Sequence, residues 1–197
     1  MHTLLTVLEE EILISRLIDG DKDAFASLFE SYKDKVYNTS LGILRNARDA
    51  EDITQEVFVE IFLSIQHFKG KSKLSTWIYR ITISKALDHI RRNKRRKRFA
   101  FITSLFGEKG ELVTDPPDFI HLGVTVENQE LSAILFNAIS KLPQSQKIAF
   151  TLCKTEDLSY EETADVMNIS VSAVESLMFR AKQNLRISLA DYYKELD

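Results

Sequence analysis

The side chains with the most evident chemistry in this sequence are cations. Residues 69–98 hold twelve Lys or Arg against one acid, Asp88, a local charge of +11 in a chain whose net charge is -3. Such a segment suits a polyanion, and the aromatic and apolar residues just ahead of it offer surfaces on which bases could stack. Composition alone also allows a solvated or nuclear-targeting basic tail. Catalytic chemistry finds little support. The four histidines, His2, His67, His89 and His121, are scattered, and no group of carboxylates or histidines has metal-ligand spacing, so neither metal nor cofactor is expected. The single cysteine, Cys153, lies in an apolar run and reads as a buried, inert thiol in a reducing compartment.

Elements of suitable size must position that tract. A chain of 197 residues holds one ordinary domain or two small ones. Charge is segregated: -7 over residues 1–68, -5 over 99–130 and -2 over 131–197 flank the basic segment. The N-terminus, MHTLLTVLEEE, lacks the pattern of a secretion signal, and no run of 18 apolar residues occurs, so a cytoplasmic protein without membrane insertion is expected.

Periodicity predicts an all-α protein. A first helix, about residues 8–19, turns Leu13, Ile14, Leu17 and Ile18 inward and stops at Gly20. A second opens at Asp21 or Asp23 and carries Phe25, Leu28, Phe29, Tyr32, Val36, Tyr37 and Leu44 on its core face. The acids of Asp49-Ala50-Glu51-Asp52 announce a third, running to about His67, with Ile53, Val57, Ile61 and Ile65 as an inward stripe widened by Phe58 and Phe62. Gln55, Glu56 and Glu60 then face outward with Glu51 and Asp52, as either a solvated acidic face or a docking surface for a basic partner. After a loop containing Lys69, Lys71, Ser72 and Lys73, Ser75 is placed to cap a fourth helix. Its buried face is Trp77, Ile78, Ile81, Leu87 and Ile90, and its charged side is Arg80, Lys85, His89, Arg91 and Arg92. The helix is expected to run out over residues 93–98.

Residues 99–127 read as an irregular acidic linker, with Gly107, Gly110, Pro116, Pro117 and Gly123. A linker of that length separates two domains, 1–98 and 128–197, either apart or packed on each other. The second domain opens with a helix through Leu131, Ile134, Leu135, Ala138 and Ile139 that stops at Leu142, before Pro143 starts the next. Ser159-Tyr160-Glu161-Glu162 is a capping box, Asn168 suits a left-handed turn and Ser170 caps a final helix. Ala164, Asn168, Ile169, Val174 and Leu177 match helix-turn-helix spacing, which a plain helical hairpin imitates only in part. In a DNA-binding reading Ser172, Ala173, Glu175, Ser176, Phe179, Arg180 and Lys182 face the major groove, where Glu accepts from cytosine and Arg reads guanine or holds phosphate.

The strings DAEDITQEVFVEIFLSIQHF, STWIYRI, RR-x-KRR, KLPQSQKIAF and LSYEETADVMNISVSAVESLMFRAKQNLR together resemble the small sigma factors of the extracytoplasmic-function group, in the sigma-70 family. The resemblance spans roughly residues 15–190. It implies a non-enzymatic initiation factor with a region 2 and a region 4 domain, bacterial RNA polymerase core and promoter DNA (single-stranded and duplex) as partners, and an anti-sigma factor as a further partner class that no residue identifies. By the same resemblance Asp49, Glu51, Asp52, Gln55, Glu56 and Phe58 dock on polymerase. Lys69, Lys71, Ser72, Lys73, Trp77, Arg80, Ser84, Lys85, His89, Arg91, Arg92, Arg95 and Arg96 take the minus-ten element, opening it as single strand with a base flipped into a pocket. Ser170, Ser172, Ala173, Glu175, Ser176, Phe179, Arg180 and Lys182 read the minus-thirty-five duplex. The chain departs from the family pattern at Ser84, where Asn is common, and at Glu175 and Leu177, where Arg is frequent. The alternative is a helix-turn-helix regulator acting without polymerase.

Overall fold

Helix ends in this chain are set partly by neighbouring residues and partly by contacts far along the sequence. The computed structural model describes residues 7–104 and 129–194, and among these residues there are eight α-helices and no strand. Helix α1 (Val7–Ile18) ends before Gly20, whose φ of 77° is the left-handed conformation a glycine adopts without strain. Helix α2 (Lys22–Leu44) is capped by the Asp21 carboxylate, which accepts from the Asp23 and Ala24 amides at 2.8 and 3.2 Å. Helix α3 (Ala47–Ser64) starts at Asn46, whose side chain accepts from the Asp49 amide at 2.8 Å, so the cap stands one turn ahead of the acids. A 3-10 turn, Ile65–His67, closes it.

Helix α4 (Leu74–Ser104) departs from expectation at both ends. Ser75 lies inside its first turn. The Leu74 amide donates instead to Glu10 of α1 at 2.6 Å, so a first-turn donor is satisfied from 64 positions away. At the other end the helix passes through the basic tract and beyond residue 98, the expected start of the linker. Lys and Arg are good helix formers, and charge alone does not end a helix. The remaining linker positions singled out above, from Gly107 onward, lie outside the described residues.

The second unit contains α5 (Gln129–Ser140), α6 (Gln144–Lys154), α7 (Tyr160–Met167) and α8 (Val171–Lys194). Its signals are local and hold. Ser159 accepts from the Glu162 amide while the Glu162 side chain accepts from the Ser159 amide, each at 3.1 Å. Asn168 is left-handed at φ 53°, and Ser170 accepts from the Ala173 amide at 3.2 Å.

Ile53, Val57, Ile61 and Ile65 are all buried, with Leu28, Val36, Leu74 and Ile78. The flanks of that stripe separate: Phe58 is buried against Phe29, whereas Phe62 is 58% exposed. Phe29 and Ile18 also lie at the rim and not in the core. In the second unit Ala149, Cys153, Ala164, Val174 and Met178 form one cluster, and the Cys153 sulfur sits 3.3 Å from the Thr163 hydroxyl. The main cluster also takes in Ile148, Leu152 and Val166, because α6 packs on α2 and α7 on α4. Of the two arrangements open from sequence, the units are packed together.

Candidate nucleic-acid interface

The basic surface starts in the loop before α4. Lys69, Lys71 and Lys73 are exposed, Ser72 is half-buried, and Gly70 turns the chain at φ 64°. Trp77 is half-buried with its ring centroid 5.2 Å from that of Phe68, so it anchors the loop to the helix. Arg80, Ser84, Arg91, Arg92, Arg95 and Arg96 are exposed along a helix of 31 residues, about 46 Å at 1.5 Å per residue.

Part of the expected charged side is turned toward α3. Lys85 pairs with Glu60 at 2.9 Å, His89 with Asp49 at 3.2 Å and Arg92 with Glu56 at 3.4 Å. The two faces assigned to separate partners, one acidic and one basic, are therefore adjacent and joined by three rungs. Partly exposed pairs of this kind contribute roughly 0–1 kcal/mol each, so they orient the helices more than they stabilise them. Arg91 bonds Asp88 one turn away on its own helix.

On α3, Glu51, Asp52 and Gln55 are exposed, but Phe58 is 5% exposed and belongs to the core, which corrects its place among surface docking residues. The stripe continues through residues the sequence reading passed over. Val59, Phe62 and Leu63 are each more than half exposed, and with Asp52, Gln55 and Glu56 they follow three- and four-residue steps along one side of the helix. Apolar residues on both sides of an amphipathic helix are the signal for such a surface, since three large exposed neighbours are rarely left to solvent without a use.

The α7–α8 hairpin has the geometry of a reading head. Ala164 and Val174 are buried where the helices cross, and Leu177 is half-buried. Ser172, Glu175, Ser176, Phe179, Arg180 and Lys182 are exposed on the outer face of α8, with Ala173 half-buried. Phe179 is 69% exposed, and a benzyl group so placed suits a thymine methyl. The Arg180 Nε bonds the Ser176 carbonyl at 3.2 Å, folding the guanidinium back along the helix. Ser170 is exposed, yet its hydroxyl is engaged by the α8 amide and lies 3.0 Å from the Ser172 hydroxyl. Among the described residues no group of three or more His, Cys, Asp or Glu is placed to hold a metal, and no helix is long and apolar enough to cross a membrane.

A long basic helix in one helical unit and a helix-turn-helix in the other define a two-part nucleic-acid binder. The family profile of sigma-70 region 2 matches residues 28–96, and that of sigma-70 region 4 matches residues 132–185. The chain is 33% identical to the extracytoplasmic-function RNA polymerase sigma factor SigW of Bacillus subtilis, covering 90% of this chain and 95% of that one. It is 31% identical to the RNA polymerase sigma-H factor of Pseudomonas aeruginosa, over 98% and 100% of the two chains. In fold it is similar to CnrH solved with the cytosolic domain of CnrY, at a TM-score of 0.67 and 19% identity over 92% of this chain and 97% of that one. The sigma factor RpoE of Bartonella quintana, solved with the anti-sigma factor NepR, gives a TM-score of 0.63 at 17% identity over 84% and 96%. The chain belongs to the sigma-70 family, in its extracytoplasmic-function group.

Proposed function

We propose that this chain is a non-enzymatic, cytoplasmic initiation factor that carries bacterial RNA polymerase core to promoters and helps to open them. The observation that supports this best is the pairing, on one region 2 unit, of a partly apolar α3 stripe with a basic α4. A stand-alone duplex regulator needs only α8.

The stripe of exposed Asp52, Gln55, Val59, Phe62 and Leu63 with half-buried Glu56 takes the polymerase, its apolar half supplying buried area and its polar half orientation. The residue 69–73 loop and the first turns of α4 take the minus-ten strand. There Trp77 holds the loop, and Lys69, Lys71 and Arg80 meet phosphates or a flipped base. Arg91, Arg92, Arg95 and Arg96 grip phosphates without reading sequence. Opening needs no covalent chemistry, because binding to exposed bases and phosphates offsets an unstacking cost of roughly a few kcal/mol. Residues 172–182 of α8 read the minus-thirty-five duplex, with Glu175 reducing the positive charge of that face. The relatives solved with CnrY and with the anti-sigma factor NepR support an anti-sigma protein as a further partner.

A pull-down with purified bacterial core tests the reading. The wild-type chain should be retained, and Phe62→Ser should lose at least tenfold in affinity at unchanged helicity, as for an exposed interface anchor. Absence of wild-type binding to core, with specific binding to duplex DNA intact, would return the chain to the class of stand-alone regulators.

A further inference from the structure

Three cations that none of the surfaces above uses come together where α2, α4 and α6 meet. Gly42 of α2 faces Thr151 of α6, a Cβ at the glycine falling 2.6 Å from the Thr151 Cγ2. Arg45 and Lys147 each lie about one turn from that contact on their own helices. They stand within electrostatic range of each other, and Lys94 of α4 reaches the same place.

Each helix end at this junction is short of a negative partner. Arg45 is the C-cap of α2 at φ 62°, a left-handed position where glycine or asparagine is usual. Its guanidinium donates to the Phe136 carbonyl and lies over that ring, but its Nε is buried without a hydrogen-bond partner. Lys147 is half-buried at the end of the first turn of α6, whose N-cap, Pro143, offers no side-chain acceptor. The positive end of the helix dipole thus adds to the same charge, at a position that favours an acid.

Among the described residues no carboxylate pairs with Arg45, Lys94 or Lys147. Burial, with the Arg45 and Lys94 charges adding to it, holds the Lys147 ammonium below its usual range, and burial also works against the charge on Arg45. Like charges gathered at a half-buried junction are costly without a counter-ion.

We propose that Arg45, Lys94 and Lys147 form a binding site for a phosphate-type oxyanion at the junction of α2, α4 and α6. A guanidinium fork matches phosphate oxygens, two ammonium groups add point charges, and the uncapped amides at the start of α6 are donors of the kind that hold such anions. Three cations outcharge a single carboxylate or chloride, so a ligand of two or more negative charges fits best. The site lies apart from the residues proposed for the promoter and does not depend on a polymerase partner.

Thermal unfolding of the full chain, with inorganic pyrophosphate titrated against sodium chloride at equal ionic strength, tests it. At ten times its dissociation constant a ligand that binds only the folded chain raises the folding constant about elevenfold, which for this length lifts the melting temperature by roughly 3–6 °C. The wild type should show that rise. Lys147→Gln should melt above wild type without ligand, since one of three like charges is gone, and should show no ligand shift. Lys94→Gln, at the exposed rim, should lose most of the shift with its fold intact. Wild type unmoved by pyrophosphate overturns the site. So does an equal rise in all three proteins, which would put the anion elsewhere on the basic surface, and so does a Lys147→Gln chain that melts below wild type without ligand. Anisotropy with fluorescein-labelled single-stranded oligo(dT) then separates two sources of the same chemistry. Affinity lost in Lys147→Gln assigns the site to a nucleic-acid phosphate, and affinity unchanged with the pyrophosphate shift gone assigns it to a free oxyanion.

Discussion

The two surfaces proposed to meet DNA differ in how much of their chemistry is already used within the chain. On α8, Ser172, Glu175, Ser176, Phe179 and Lys182 point to solvent, and Arg180 is held only by its own helix. On α4, Lys85, His89 and Arg92 are paired with α3 and Arg80 with region 4, as is Lys73 just ahead of the helix. The difference follows from the substrates proposed for them. A duplex groove is a preformed object that a rigid, ready helix can read. A single strand exists only after melting, so the surface proposed for it need not be preformed. Charge on and beside α4 is thus partly spent on holding helices together.

The largest effect should come from the basic end of α4. Replacing Arg91, Arg92, Arg95 and Arg96 by Ala should abolish stable open complexes at moderate salt, while flattening the log–log salt slope of binding by about three, at ~0.7 to 0.9 per lost phosphate contact. If thermal stability falls and the slope does not change, these arginines are structural. Next, Arg180→Ala should weaken binding to the minus-thirty-five duplex by ~1 to 3 kcal/mol in a mobility-shift titration, with single-strand binding unaffected. Equal losses on both probes would erase the division between the two surfaces.

A smaller effect concerns pH. Burial pushes the Glu156 carboxyl up to about 7, with Asp157 adding to the rise, while the Tyr79 hydroxyl bond and Lys35 oppose it. In the unfolded chain this carboxyl returns to its ordinary value of 4.5, so the folded chain binds the extra proton. The folded state is therefore favoured most at acid pH and loses this contribution as pH rises from about 4.5 through about 7. Urea unfolding at pH 5.5 and pH 8 should show this group's contribution lost at pH 8, and Glu156→Gln should remove the dependence. The smallest change is Ser159→Ala, which takes one acceptor from the start of α7 and should lower stability by about 1 kcal/mol in urea unfolding.

What could be read from sequence was what short stretches decide by themselves. The Ser159 and Glu162 box, the Asn168 turn, the Ser170 cap and the stripe from Ile53 to Ile65 each depend on residues within one or two turns, and each formed as expected. The misreadings involve distant partners. Ser75 lost the role expected of it because Glu10, on another helix, reaches the Leu74 amide. Phe58 and Phe62 sit one turn apart with equal claims on the core, and it is the position of Phe29 that buries the first and leaves the second outside. The rungs between α3 and α4 join two faces that lie 25 or more positions apart, so neither stretch signals the other. The meaning of Gly42 was likewise hidden, since its reason, Thr151, stands on the other side of the linker. Lastly, the run of Lys and Arg looked like an ending, although those residues favour helix and α4 continues through them.

Opening of DNA by one unit once polymerase has placed it is read by permanganate reactivity on a promoter recovered by sequencing transcripts that overexpression of the chain induces. With core and this protein together, thymines near the minus-ten position should become reactive, and neither component alone should produce them. Protection of a single duplex site by the protein alone, with no reactive thymine when core is added, would contradict it.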